Sequence, residues 1–168
     1  CYIAVSGGLK VKSIFGSKSF FSNITDSYFL KKNDEIKVSK KSKNKILKWD
    51  RFNFKLNRSI EVFKGPEFDL LSSNSKNKLF KNEFTISTNN RMAYNLVEKL
   101  QVGTKSIISS PVLPGSVQLT PSGKMIILHR DCQTTGGYPR ILQLNISSLN
   151  YLSQLKSTDK IKLRLINL

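Results

Sequence analysis

Between residues 51 and 62 apolar and polar positions alternate: Phe52, Phe54 and Leu56 are separated by Arg51, Asn53, Lys55 and Asn57, and Ile60 and Val62 flank Glu61 after Ser59. Such a period of two sends one row of side chains to a core and the other to water, which predicts one bent strand or a strand pair. Gly65-Pro66 interrupts it. The segment EFDLLSSNSKNKLF (67–80) is the one plausible helix of any length, and EFTIS (83–87) returns to strand character. NNRMAYNLVEKL (89–100) fits both periods. Met92, Leu96 and Leu100 have helical spacing, whereas Met92, Tyr94 and Leu96 alternate with Arg91, Ala93 and Asn95; the strand reading is adopted.

The stretch from Ser109 to Arg130 is plainer. A Pro-Gly turn at 114–115, a strand Ser116–Leu119, a Thr-Pro-Ser-Gly turn with proline at its second position and a strand Lys124–Leu128 make a hairpin. YPRILQLNIS (138–147) continues as a strand, SSLNYLSQL (147–155) reads as a short helix capped by Ser147 or Ser148, and KIKLRLINL (160–168) closes the chain as a strand. At the other end YIAVSGG (2–8) reads as a strand already under way that runs into a turn, so the chain is expected to be a fragment cut inside a domain. Many short strands, few helices and several Gly/Pro turns indicate a β-barrel or sandwich.

Composition narrows this only in places. With 168 residues, 39% of them hydrophobic, the chain suffices for a packed domain. No stretch approaches the ~20 apolar residues that span a bilayer, and no signal-peptide pattern is present, so a soluble, cytoplasmic protein is expected. Cys1 and Cys132 lack a CxxC partner, which gives no sign of a disulfide framework or a metal site. The net charge of +17 raises nucleic acid as a partner. The charge is nearly all lysine, however, scattered among Asn, Ser and Ile and densest at KVSKKSKNKILK (37–48), which suits a solvated loop. Trp49, Phe52 and Phe54 among basic residues resemble a base-stacking platform, but alternate aromatics on a strand more often fill a barrel interior. No nucleic-acid surface is expected.

The chemistry concentrates in DCQTTGGYPR (131–140), between the apolar runs MIIL and ILQL. It holds no acidic pair, no Ser-His-Asp set and no Cys-His pair. The GxxxxGK[ST] phosphate loop is absent too, and a strand follows where a helix would be needed. What remains is a set of neutral donors and acceptors: the Gln133 amide, the Thr134 and Thr135 hydroxyls, and backbone N–H groups at Gly136 and Gly137, glycines able to take positive φ and admit a ligand close to the backbone. Such a loop suits a small polar amide or acid. Arg140 offers a bidentate contact to a carboxylate or phosphate. Asp131 is the candidate carboxylate, with fixing the loop through backbone hydrogen bonds as its alternative role. His129, the single histidine, is a weaker candidate base, and turn geometry alone would also call for Gly, Thr and Tyr138-Pro139.

GSVQLTPSGKMIILHRDCQTTGGYPRI (115–141) resembles the signature of the KipA/PxpC family, also called allophanate hydrolase subunit two or the biotin-dependent carboxyltransferase family. Three other stretches agree in order. YIAVSGGLKVKSIFGSKSF (2–20) is similar to the family's YLAVAGG…GSRST segment, KGPEFD (64–69) to its Gly-Pro-Gln element, and STNNRMAYNL (87–96) to its Ser-Asp-Arg-Met-Gly segment. The resemblance implies a cyclophilin-like β-barrel present in two halves. Residues 1–60 would then be the tail of the first half with a basic loop, and residues 61–168 the second half carrying the 131–140 loop. It further implies a partner of KipI/PxpB type and a third, PxpA-type subunit, together a 5-oxoprolinase that uses ATP to open 5-oxoproline to glutamate.

On that footing Arg91, Gln118, Gln133, Thr134, Thr135, Gly136, Gly137, Tyr138 and, more weakly, Arg140 would shape the substrate site, with Asp131 the candidate catalytic group. Phosphorylation of the lactam carbonyl by ATP would be assisted by neutral donors at the developing charge. Two alternatives follow from the same resemblance: carboxyl transfer from biotin to urea or a similar amide, and a regulator without turnover that antagonises a KipI-like inhibitor. Relative to the family pattern a carboxylate is lost at Asn90 and a glycine at Ala93, Asn95 stands where Arg is common, and Lys18 and Phe20 replace Arg and Thr. Lys for Arg keeps the charge but loses the planar fork.

Overall fold

The computed structural model of the protein describes residues 3–21, 23–25, 30–39, 59–101, 103 and 106–167. Trp49, the alternating positions 51–58 and residues 40–48 of the basic run lie outside the described residues. The chain divides into two compact units, Cys1–Phe52 and Asn53–Leu168.

Nine strands and two helices occupy the described part of the second unit. In chain order they are β1 (Ser59–Lys64), α1 (Ser73–Lys81), β2 (Glu83–Asn89), β3 (Ala93–Lys99), β4 (Ser110–Pro111), β5 (Ser116–Leu119), β6 (Lys124–Leu128), β7 (Thr135–Gly136), β8 (Arg140–Leu144), α2 (Ile146–Leu152) and β9 (Lys160–Leu165). Seven strands form a closed barrel in the order β1-β8-β5-β6-β3-β2-β9, and β4 pairs with β7 as a separate ribbon. Every barrel pairing is antiparallel except β1 with β9, which run parallel and shut the barrel. Closure removes the exposed strand edges on which an open sheet would aggregate.

Alternation built this barrel as expected. Ile60 and Val62 on β1, Phe84 and Ile86 on β2, Tyr94 and Leu96 on β3, Met125 and Ile127 on β6, and Ile161 and Leu163 on β9 are all buried in one core. Within the 89–100 stretch Ala93–Lys99 is the strand that alternation predicted, while residues 90–92 are the turn before it and leave Met92 half exposed; the hairpin has the predicted bounds, with Gly115 and Gly123 at positive φ in its turns (91° and 82°). β8 departs from simple alternation. Val117 pairs with Leu142 but Gln118 with Arg140, so Ile141 is the extra residue of a β-bulge, and Ile141 and Leu142 are both buried. A bulge turns the following side chains relative to the sheet.

Three expectations need correction. The 67–80 helix is broken: a single 3-10 turn, Phe68–Leu70, precedes α1, because Ser72 is extended and its hydroxyl accepts from the Ser75 N–H, making it the helix cap. α2 is capped by Asn145, not by Ser147 or Ser148; the Asn145 side chain accepts from the Ser148 N–H at 2.7 Å, while the Ser148 hydroxyl accepts from the Glu61 N–H at 2.7 Å. Ile3–Val5 form no strand, since no ladder partner lies along them among the described residues, although the turn after them is present, closed by Gly8 N–H to Val5 at 2.9 Å with Gly7 and Gly8 at positive φ.

Within the first unit the described residues 3–39 are joined by local backbone bonds and two isolated bridges, Leu9 with Val38 and Ile14 with Ser17, and none of them is buried. Lys18 and Phe20 belong to this exposed unit.

Candidate functional site

Gln118 lies on β5 between Val117 and Leu119, which point into the barrel, so its own side chain leaves the core side. It is nevertheless only 2% exposed, because the 131–140 loop folds over it. Its amide nitrogen donates to the Tyr138 carbonyl at 3.3 Å, and its amide oxygen accepts from the Gln133 amide at 3.5 Å. A buried amide must be satisfied, and here the loop satisfies it.

The loop is held along its length by main-chain bonds. The Asp131 N–H donates to the Arg91 carbonyl (2.9 Å), Val112 N–H to Thr134 (3.0 Å), Ile107 N–H to Gly137 (2.9 Å) and Leu119 N–H to Pro139 (3.0 Å), with Thr135–Gly136 paired to Ser110–Pro111 as β7 on β4. Neither Gly136 nor Gly137 takes a positive φ, contrary to the reading of these glycines as left-handed positions. For Gly136 the reason is space, whereas a Cβ on Gly137 would make only ordinary contact with the Ile107 carbonyl. A Cβ on Gly136 would overlap the Gln118 amide nitrogen. Thr134 and Thr135 are exposed and their hydroxyls make no hydrogen bond among the described residues, which leaves two neutral donor-acceptors, with the exposed Gln133, on the loop that covers the buried Gln118 amide.

The two ends of the loop carry arginine–carboxylate pairs. At the start Arg91, from the β2–β3 turn, meets Asp131 through Nε (2.6 Å to Oδ2) and Nη2 (3.2 Å to Oδ1), with side chains 75% and 45% exposed. The turn that presents Arg91 is an Asx turn: Asn90 Oδ1 accepts from the N–H groups of Met92 (2.8 Å) and Ala93 (3.0 Å), so the amide at this departure serves the turn without a carboxylate. Asn95 donates to the Thr88 hydroxyl at 3.0 Å. At the other end Arg140 does not offer its fork to a ligand. Nε and Nη2 grip the two oxygens of Glu67 at 2.9 and 2.7 Å, and Nη1 donates to the Pro111 carbonyl at 2.7 Å. Hydrogen bonding to Arg140 holds the Glu67 carboxyl below its ordinary range, and the same bonds raise the guanidinium further. Glu67 went unrecognised in the sequence; the scarcity of carboxylates, 11 against 28 Lys and Arg, is the signal that marks it.

His129 sits under the loop's first residue, its ring 5.4 Å from that of Tyr94. Both ring nitrogens are buried and neither completes a hydrogen bond. Burial, then the charge of Arg130, depresses the imidazole below its usual value, while the Arg91 carbonyl and Asp131 act in the opposite direction. With both nitrogens buried, the imidazole is badly placed as a base toward anything outside. Burial likewise raises the Cys132 thiol. Among the described residues no group of His, Cys, Asp and Glu is arranged to hold a metal ion, and no helix is long and apolar enough to cross a membrane.

The structure therefore brings together Gln118, Gln133, Gly136 and Tyr138 as one cluster, and Arg91 with Asp131 as a second. Chemically, the first offers uncharged hydrogen-bonding groups suited to a carbonyl or amide, the second an ion pair open to solvent.

Comparison with known proteins agrees with the resemblance. A family model described as carboxyltransferase domain, subdomain A and B, matches residues 1–165. The chain is 29% identical over 161 residues to a 5-oxoprolinase subunit of Escherichia coli (strain K12), covering 92% of this chain and 52% of that protein. It is 33% identical over 112 residues to the 5-oxoprolinase subunit of the same name in Haemophilus influenzae, covering 65% of this chain and 36% of that one. This chain thus spans about half or less of the curated relatives it matches. Among solved structures, Kluyveromyces lactis urea carboxylase superposes with a TM-score of 0.61 at 18% identity, over 65% of this chain and 11% of that one, a likeness of fold.

Proposed function

We propose, for a chain that belongs to the family of the carboxyltransferase domain, subdomains A and B, that it supplies the small amide or lactam site of an ATP-dependent 5-oxoprolinase complex. Relatives named as subunits of a 5-oxoprolinase imply a multi-subunit assembly. The partners proposed are the KipI/PxpB-type and PxpA-type subunits, with residues 1–60 the tail of a first half and 61–168 the second.

The observation that carries this reading is the Gln118–Gln133 amide pair, with Gly136 packed on the Gln118 amide and the Thr134 and Thr135 hydroxyls exposed on the same loop, an uncharged set of donors and acceptors of the kind a lactam carbonyl and N–H require. Fixed neutral donors of this kind favour negative charge developing on a carbonyl oxygen. The sequence holds no GxxxxGK[ST] loop, so the residues here are assigned the binding and orientation of the amide, and ATP is assigned to the complex. Asp131, held by Arg91 at the exposed start of the same loop, is the proposed acid-base group.

The test is phosphate release from ATP by the full-length protein assembled with its partner subunits, with and without 5-oxoproline. Release that requires 5-oxoproline and is lost in Gln133→Ala supports the assignment. A well-formed complex whose ATP hydrolysis ignores 5-oxoproline overturns it.

A further inference from the structure

We propose that Glu67 is a positioning residue of the amide loop, acting through Arg140. The proposal rests on the assignment of that loop as the amide site but is argued from different bonds.

The Glu67 carboxylate accepts three hydrogen bonds from one residue 73 positions away: the Arg140 backbone N–H (2.8 Å), Nε (2.9 Å) and Nη2 (2.7 Å). The Glu67 N–H donates back to the Arg140 carbonyl at 3.2 Å, and Gly65 N–H donates to Ile141 at 2.9 Å. At Gly65 the two segments touch backbone to backbone, since a Cβ there would overlap the Arg140 carbonyl. The side chains of the pair are only 19% (Arg140) and 17% (Glu67) exposed.

A half-free arginine sweeps through several rotamers; one gripped on both fork nitrogens has a single position. With that position fixed, Nη1 reaches the Pro111 carbonyl, and Pro111 is the residue of β4 that pairs with Thr135 of β7. Arg140 also stands directly opposite Gln118 across the β5–β8 bulge. From a strand position paired with Gln118, one guanidinium thereby ties the Gly65–Glu67 turn to the ribbon that carries Thr135–Gly136. Glu67 touches none of the loop's polar groups other than Arg140 in this arrangement.

The experiment uses the full-length protein in its complex, with Glu67→Gln as the isosteric variant and Glu67→Ala as the deeper cut. Hydrogen exchange is followed at the amides of Ile107 and Val112, whose acceptors are Gly137 and Thr134 in the loop, with the Ile86 amide, bonded to Asp159, as the distant control. Exchange about tenfold faster at Ile107 and Val112 than in the parent, with Ile86 unchanged, is expected. In turnover, KM for 5-oxoproline should rise about tenfold while kcat stays within about twofold. A folded Glu67→Gln protein with parental exchange at both loop amides overturns the proposal even if the parent turns over 5-oxoproline. Conversely, faster exchange in a complex that ignores 5-oxoproline upholds Glu67 as the positioning residue and removes only the substrate assignment. Should Glu67→Ala fail to fold, Glu67→Gln decides alone.

Discussion

The 131–140 loop begins and ends with the same chemistry, a carboxylate gripped by two nitrogens of an arginine, yet the two pairs differ in burial. Glu67 and Arg140 are 17% and 19% exposed, whereas Asp131 and Arg91 are 45% and 75% exposed. In water an ion pair gains little, because each partner gives up solvation and side-chain freedom for it. Withdrawn from water, the same geometry becomes costly to break from one side, since the survivor keeps its charge and loses its partner. One pair therefore serves as a strut and the other as an accessible charged device.

The largest effect should come from breaking the enclosed pair on one side. Glu67→Ala strands Arg140 and is expected to lower stability by about 3 kcal/mol, equivalent to a fall in Tm on the order of 10 °C. Removing both charges with Glu67→Leu/Arg140→Met should recover more than half of that loss, as apolar replacements of buried ion pairs often do. Thermal unfolding of the two variants gives the answer. A double variant no more stable than the single one would mean that the pair's geometry, not its stranded charge, carries the cost.

Next in size is the middle of the loop. Gly136→Ala places a methyl on the Gln118 amide and should cost about 1–3 kcal/mol. Gln118→Ala in the same chain removes the overlap, so the two substitutions together should cost less than their sum, measured by urea unfolding. Additive costs would remove Gln118 as the reason for glycine at this position.

Acid separates the contributions further. His129 is depressed in the folded state, so the unfolded chain takes up its proton first. Its contribution is full above the ordinary value of 6.5 and declines as pH falls from there toward the lowered folded value. Glu67 is also depressed, but from 4.5, so the contribution of its ionised form is full above that value and is lost only as pH falls through the still lower folded value. Unfolding free energies between pH 7.5 and 3.5 should thus show an upper slope abolished by His129→Gln and a lower one abolished by Glu67→Gln. If His129→Gln leaves the upper slope intact, another group titrates there.

How far these features were legible follows from the range of the interaction that fixes each. The hairpin Ser116–Leu128 could be read because a turn residue and its alternating strands are neighbours in sequence. Strand 93–99 could be read because only a period of two put Tyr94 and Leu96 on one face. The cap of α2 was misplaced by two or three residues, since Asn145, Ser147 and Ser148 are all competent caps and only the strand-end geometry selects Asn145. The loop residues were recognisable as a polar set, but the reason for Gly136 lay 18 positions back in Gln118 and the partner of Arg140 lay 73 back in Glu67. Neither spacing has a period, so neither leaves a local trace. Ile3–Val5 looked like a strand because apolar residues stood before a Gly-Gly turn, but a strand also needs a ladder partner along it.

The exposed pair should give the smallest change in stability and, under the proposed function, a disproportionate one in chemistry. Asp131→Asn keeps the shape of the side chain and one acceptor for Arg91 while removing the charge. A solvent-facing pair is worth about 0.2–1 kcal/mol, so Tm should move by no more than about 5 °C, and by less still in ~1 M salt, where the Debye length shrinks to ~3 Å. Phosphate release dependent on 5-oxoproline should nevertheless fall by about a hundredfold or more, the scale of losing a positioned acid-base group, with kcat rather than KM carrying the loss. Glu67→Gln is expected to show the reverse split. If Asp131→Asn turned over at the parental rate, the accessible pair would be a second strut with nothing chemical to do, and the acid-base group would have to come from a partner subunit.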